Sequence, residues 1–193
     1  MTKFVYILLV VVFCFSCGED YVPKPKAYLR LDYPEAKYVD AKLELPFSFE
    51  KNQIATKIKL KELKSSTKSY GLNLEYPILK GTVFITYKAI ENNKNYLAKF
   101  LRDAEKFTLE HTQKADEIPT YPFENIEYKV YGMLSEVKGN VASPVQFYVT
   151  DSVNHFLTGS LYFYAKPNYD SILPAAKYIQ KDIMHIMETV KWK

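Results

Sequence analysis

The sequence predicts an α+β fold, a mostly antiparallel sheet flanked by two long helices, and three observations predict it. Residues 145–149 and 157–163 alternate apolar and polar side chains at period two, the pattern of half-buried strands. Two segments, from Asn92 to about Asp116 and from Ile172 to Val190, repeat apolar residues every three and four positions, as a helix with one buried face does. The connections between the last strands are short, which favours an antiparallel meander, since parallel strands need a crossover of about a dozen residues. A chain of 193 residues that is 48% hydrophobic suits one domain with a real core. Its 17 Tyr and 12 Phe suit a β-rich core with amphipathic tyrosines at a surface or interface. A net charge of +4 is too mild to argue for a nucleic-acid partner.

In chain order, Leu43, Leu45, Phe47 and Phe49 alternate with polar neighbours and predict the first strand. Ile54, Ile58 and Leu60 oppose Lys57, Lys59 and Lys61 in the second, whose lysine row suits either an anionic surface or a solvated edge guarded against aggregation. Residues 64–69 read as a polar loop, Leu72–Tyr76 as a short strand, and Val83, Ile85 and Tyr87 as a long one. Asn92-Asn93-Lys94-Asn95 caps the first helix, which carries Leu97, Phe100, Leu101, Ala104, Phe107, His111 and Ala115 on one face and is stopped by Pro119 and Pro122. Ile126, Tyr128, Val130 and Leu134 predict a strand leading into the loop 138–144. Val145, Phe147 and Val149 form the next, a polar turn at Asp151, Ser152, Asn154 and His155 follows, and Leu157, Gly159, Leu161 and Phe163 return. Asp170 or Ser171 is expected to cap the closing helix, with Pro174 in its first turn.

The N-terminus sets the compartment. Met1-Thr2-Lys3 precedes an apolar run from Phe4 to Phe15, the length of a signal-peptide core rather than of a spanning helix, which needs about 20 residues. The run ends in Cys14-Phe15-Ser16-Cys17, and a small residue before a cysteine there resembles the bacterial lipobox. Residues 1–16 are therefore expected to be a lipoprotein signal peptide and Cys17 the lipidated first residue of the mature chain. Cys14 follows bulky Phe13 and fits poorly. With Cys17 lipidated, the mature protein has neither free thiol nor disulfide. Residues 17–41 read as an extended tether punctuated by Pro23, Pro25 and Pro34, and residues 42–193 as a single α+β domain. Apolar Tyr21, Tyr28, Leu31 and Tyr33 in a segment with no core of its own need a surface to cover, so they are expected to bind a partner or the protein's own sheet.

Catalysis is not expected. His111, His155 and His185 form no metal-spaced pair, no phosphate-binding glycine loop exists among 6 Gly, and no metal or cofactor is anticipated. Asp151 beside His155 is explained by turn chemistry, and a Ser143, His155, Asp170 triad lacks a nucleophile elbow. A polar cleft around His155 and Asn140 would point instead to a periplasmic ligand-binding or hydrolytic domain acting on cell wall or lipid.

Cys17-Gly18-Glu19-Asp20-Tyr21-Val22-Pro23-Lys24-Pro25, Leu29-Arg30-Leu31-Asp32-Tyr33-Pro34, Val130-Tyr131-Gly132-Met133, Gln146 to Ser152 and His155 to Ser171 resemble the gliding motility lipoprotein GldD family over essentially the whole chain. The resemblance implies a lipid-anchored envelope protein required for gliding motility. Its expected partners are other gliding-motility and type IX secretion proteins and, through the anchor, the membrane. It offers no catalytic residue. It also implies a cysteine pair near Leu45 and Tyr70 that this chain lacks, so no disulfide carries over. Gly18 stands where an inner-membrane retention aspartate would, so the outer membrane facing the periplasm is expected, though Glu19-Asp20 also suits a surface-export signal. The element order is similar to the Mog1/PsbP-like sandwich, by analogy only.

Overall fold

Strand β10 (His155–Phe163) lies at the centre of the sheet, hydrogen-bonded to β6 (Gly81–Ala89) on one side and β9 (Val145–Thr150) on the other. The structure, a computed structural model, describes residues 33–110, 115–164 and 169–193. Outward from β6 run β5 (Ser69–Tyr76) and β4 (Lys57–Leu63); outward from β9 run β8 (Val130–Glu136) and β7 (Thr120–Asn125). All seven strands are antiparallel to their neighbours. Helix α1 (Lys94–Leu109) crosses one face and helix α2 (Tyr169–Thr189) the other. The expected α+β class and antiparallel sheet between two helices are what the chain forms.

The main core lies under α2. Ile179, Ile183, Ile186 and Met187 meet Leu72, Leu74, Val83, Ile85, Leu157 and Leu161, the inward members of their strands, all 2% exposed or less. Two glycines make room here. A Cβ on Gly159 would overlap the Phe147 ring, and one on Gly132 would run into the carbonyl oxygen of Tyr148, where β8 and β9 approach closely. On the opposite face Phe100 packs on Phe156 and Ile90 in a smaller cluster.

Several expectations change. The strand expected from Leu43 to Phe49 is divided: β2 (Phe47–Ser48) pairs with β11 (Lys191–Trp192), while β3 (Glu50–Asn52) pairs with β1 (Tyr38–Asp40). Its alternation is real, since Leu45, Phe47 and Phe49 are buried, but the hydrogen-bond partner switches along it. Three residues of the expected tether, 38–40, thus form a strand. Pro122 sits inside β7 instead of marking a stop; an edge strand leaves its outer backbone unpaired, so a missing N–H is tolerated. Ile126 and Tyr128 belong to the turn before β8, with Ile126 exposed. Helix α1 begins at its Asn93 cap, whose side chain accepts from the Asn95 N–H at 2.9 Å, and ends at Leu109, short of Asp116. Helix α2 begins at Tyr169, so Asp170 and Ser171 lie within it rather than capping it and Pro174 is inside the helix. Strand β4 is the exposed edge, and Lys57, Lys59 and Lys61 point to water.

Candidate functional site

A groove of about 750 Å³ lies between the C-terminal half of α1 and the outer face of β7–β10. Small side chains create it. Phe100, its ring tilted against that of Phe156, pins the first half of α1 to the sheet. Further along, Ala104 and Thr108 on the helix oppose Ser135 and Thr158 on the strands, and these cannot fill the gap between the two layers. Met133 and Tyr148, paired across β8 and β9, form the apolar floor, with Leu101 and Ile118 on the walls. Exposed Glu105, Asp116 and Glu117 stand on the rim, Glu117 bridged to Lys138 at 2.9 Å. Burial pushes the Tyr148 hydroxyl above its usual pKa and Glu105 adds to the rise.

Gln146 at the base of the groove is 3% exposed. Its Oε1 accepts from the Thr108 hydroxyl at 2.8 Å, and its Nε2 has no hydrogen-bond partner. Turning the amide over exchanges the two atoms and leaves one end unmet either way.

A second polar cluster ties the N-terminal strands to α2. The Asp182 carboxylate, 1% exposed, accepts from the Tyr38 hydroxyl at 2.8 Å and from Asn52 Nδ2 at 3.1 and 3.0 Å. The Tyr76 hydroxyl lies beside the same carboxylate without reaching hydrogen-bond geometry. Burial raises the Asp182 pKa, and the Tyr38 and Asn52 donors oppose that rise. Tyr33 packs on Tyr178 with ring centroids 5.2 Å apart, and the Tyr178 hydroxyl donates to the Pro34 carbonyl. The root of the expected tether therefore lies on α2.

Cys17, Tyr21, Tyr28, Leu31 and His111 lie outside the described residues. Ser143 and His155 stand at opposite ends of β9, a six-residue strand spanning about 20 Å, and the first turn of α2 holds Asp170; no triad assembles. Asn140 is likewise at the far end of β9 from His155, so no cleft joins them. The Asp151 carboxylate accepts the backbone N–H groups of Val153, Asn154 and His155 at 2.8–2.9 Å and holds the turn itself. Among the described residues no acid, cysteine or histidine cluster suited to a metal occurs.

His155 is held between Trp192, 5.0 Å away and nearly parallel, and the Tyr87 hydroxyl, 2.9 Å from Nδ1. Burial lowers its pKa from the usual histidine value, opposed by Asp151, and the same burial pushes Tyr87 up to about 12. Neutral His155 with an unprotonated Nδ1 accepts a hydrogen bond from the Tyr87 hydroxyl. With its pKa depressed on folding, the unfolded chain takes up the proton first, so stability is full above about pH 6.5 and is lost as pH falls through that value. Melting temperature is expected to drop between pH 7.5 and 5. His155→Phe should melt lower at pH 7.5, because Tyr87 loses its acceptor, and show a shallower decline; parallel curves would remove His155 from the account.

Together these features define an α+β protein with an amphipathic groove and no assembled catalytic group among the described residues. The chain belongs to the gliding motility lipoprotein GldD family, whose sequence model matches residues 18–192. No curated protein and no solved structure matches it. It is thus a gliding motility lipoprotein by family. No helix among the described residues is long and apolar enough to cross a membrane.

The groove was not foreseen from sequence. Its one local signal is the run of small residues, Ala104 and Thr108, on the otherwise apolar stripe of α1.

Proposed function

We propose that the protein is a non-catalytic docking component of the gliding apparatus, anchored by lipid on Cys17 in the outer membrane, facing the periplasm, and supporting adhesin export by type IX secretion machinery. The observation that carries this reading is the family match, which begins at Gly18, directly after the cysteine of the lipobox-like sequence. Tyr21, Tyr28, Leu31 and Tyr33 are part of the same reading, as the stretch that presents the domain to its neighbours. The hydrolytic alternative is weakened by the wide separation of Ser143 and Asn140 from His155 and by the engagement of His155 Nδ1 with Tyr87 and of its ring with Trp192. The likeness of element order to the Mog1/PsbP arrangement belongs here also, and no function is taken from it.

Each buried CH₂ of an acyl chain contributes about 0.8 kcal/mol, so the several chains of a lipoprotein hold firmly. Cys17→Ala is expected to leave the membrane fraction or stay unprocessed, with gliding reduced as in a strain lacking the protein. Mature-sized Cys17→Ala protein retained in the membrane would refute the anchor. Normal gliding without the protein would refute the function.

A further inference from the structure

We infer that the groove under α1 takes an extended segment of a partner protein, apolar side chains on Met133 and Tyr148, a backbone polar group on the unmet amide end of Gln146, and a basic residue against the rim. This rests on the docking role proposed above and names the site and chemistry of the contact. The volume, about 750 Å³, falls within the range of binding sites that are largely preformed.

Gln146 is the central observation. Buried amides in folded proteins are nearly always satisfied, and this one is satisfied at one end only. The fold does not need it. Thr108, its hydroxyl partner, also bonds the Ala104 carbonyl at 3.2 Å, so a leucine at position 146 would fill the space and orphan nothing. An amide end left unmet at the base of an amphipathic groove is explained by a hydrogen-bonding group that arrives with a ligand.

The rim selects the ligand. Glu105, Asp116 and Glu117 bear three negative charges at the mouth, of which Glu117 is bridged to Lys138. Such a mouth repels phosphate head groups and fatty carboxylates and attracts a lysine or arginine. A bare acyl chain would also leave the unmet end of the Gln146 amide without a partner. A polypeptide meets all three requirements, since its backbone carries both N–H and carbonyl groups and its side chains supply apolar and basic groups.

The test places a photoreactive p-benzoylphenylalanine at Thr120, exposed on the groove wall, in the full-length protein in living cells. The crosslinked peptide is mapped by mass spectrometry, and a synthetic copy is titrated against the purified protein. The expected peptide has apolar residues flanked by lysine or arginine, and Gln146→Leu and Glu105→Lys each weaken its binding at least tenfold. Crosslinks to lipid, an acid-flanked peptide, the absence of any crosslink, or binding indifferent to Gln146→Leu would each overturn the inference. Gln146→Leu should also melt at or above the wild-type temperature while gliding falls. Normal gliding by that variant at wild-type abundance, in cells that stop gliding when the whole protein is removed, would sink the groove and leave the general role standing.

Discussion

Ile183→Ala is expected to destabilise the domain by about 2–5 kcal/mol, the usual result of removing a branched side chain from a site that cannot collapse. Ile183 is fully buried in the middle of α2, among Ile179, Ile186 and Met187 and over the inward residues of the sheet. The helix is held at many points, so it cannot shift to fill the hole. For a domain of this size the loss corresponds to a fall of roughly 4–20 °C in melting temperature. Urea denaturation gives the direct measurement, with Lys181→Ala, on the exposed side of the same helix, as the control expected within about 0.5 kcal/mol of wild type. Gliding should then fall in proportion to protein abundance. An Ile183→Ala variant as stable as wild type would mean that α2 does not pack as described.

That stripe was legible because each of its residues carries its own evidence: apolar side chains three and four apart have one way to be buried together. The centre of the sheet was legible for the same reason, from the alternation in 145–149 and 157–163. Its degree of burial was not. Gln146 belongs to the polar half of that alternation yet is buried, because α1 covers the second face and turns an expected half-buried strand into a largely enclosed one. Strand β7 was hidden by Pro119 and Pro122, which read as stops until the position of the strand at an edge is known. The pairing of β2 with β11 joins residues about as far apart in sequence as this domain allows, Phe47 with Trp192, and no local pattern encodes such a meeting. The groove is of the same kind. It exists because Ala104 on the helix and Ser135 and Thr158 on the strands, distant in the chain, are too small to close the space between their layers.

The polar cluster at Asp182 makes the last prediction, and it also could not be read in advance, because Tyr38, Asn52 and Asp182 come from three elements. A buried carboxylate is tolerable only while its oxygens are hydrogen-bonded. Asn52 supplies a donor to both oxygens, Tyr38 supplies another, and Asn52 Oδ1 accepts the Ile54 N–H. Asn52→Ala removes both of its bonds to Asp182 and the one to the Ile54 N–H, leaving Tyr38 as the carboxylate's remaining donor, and is expected to destabilise the domain by about 3 kcal/mol at pH 7.5, since an under-satisfied buried charge is more costly than a neutral group. The deficit should depend on pH in a set direction. Burial already raises the Asp182 pKa, and losing the Asn52 donors raises it further. A carboxyl whose pKa is raised on folding binds more protons folded than unfolded, so its contribution falls as pH rises from the unfolded value of about 3.9 through the folded one. The gap between Asn52→Ala and wild type should therefore narrow from pH 7.5 to pH 5, whereas His155 lowers both proteins alike over that range. Strands β1 and β3 should also open before the rest of the sheet, exposing Lys37 and Lys42 to trypsin at temperatures where the seven-stranded sheet is intact. A deficit independent of pH would show that Asp182 does not carry the charge assigned to it, and trypsin resistance equal to wild type would show that the cluster does not hold the tether root to α2.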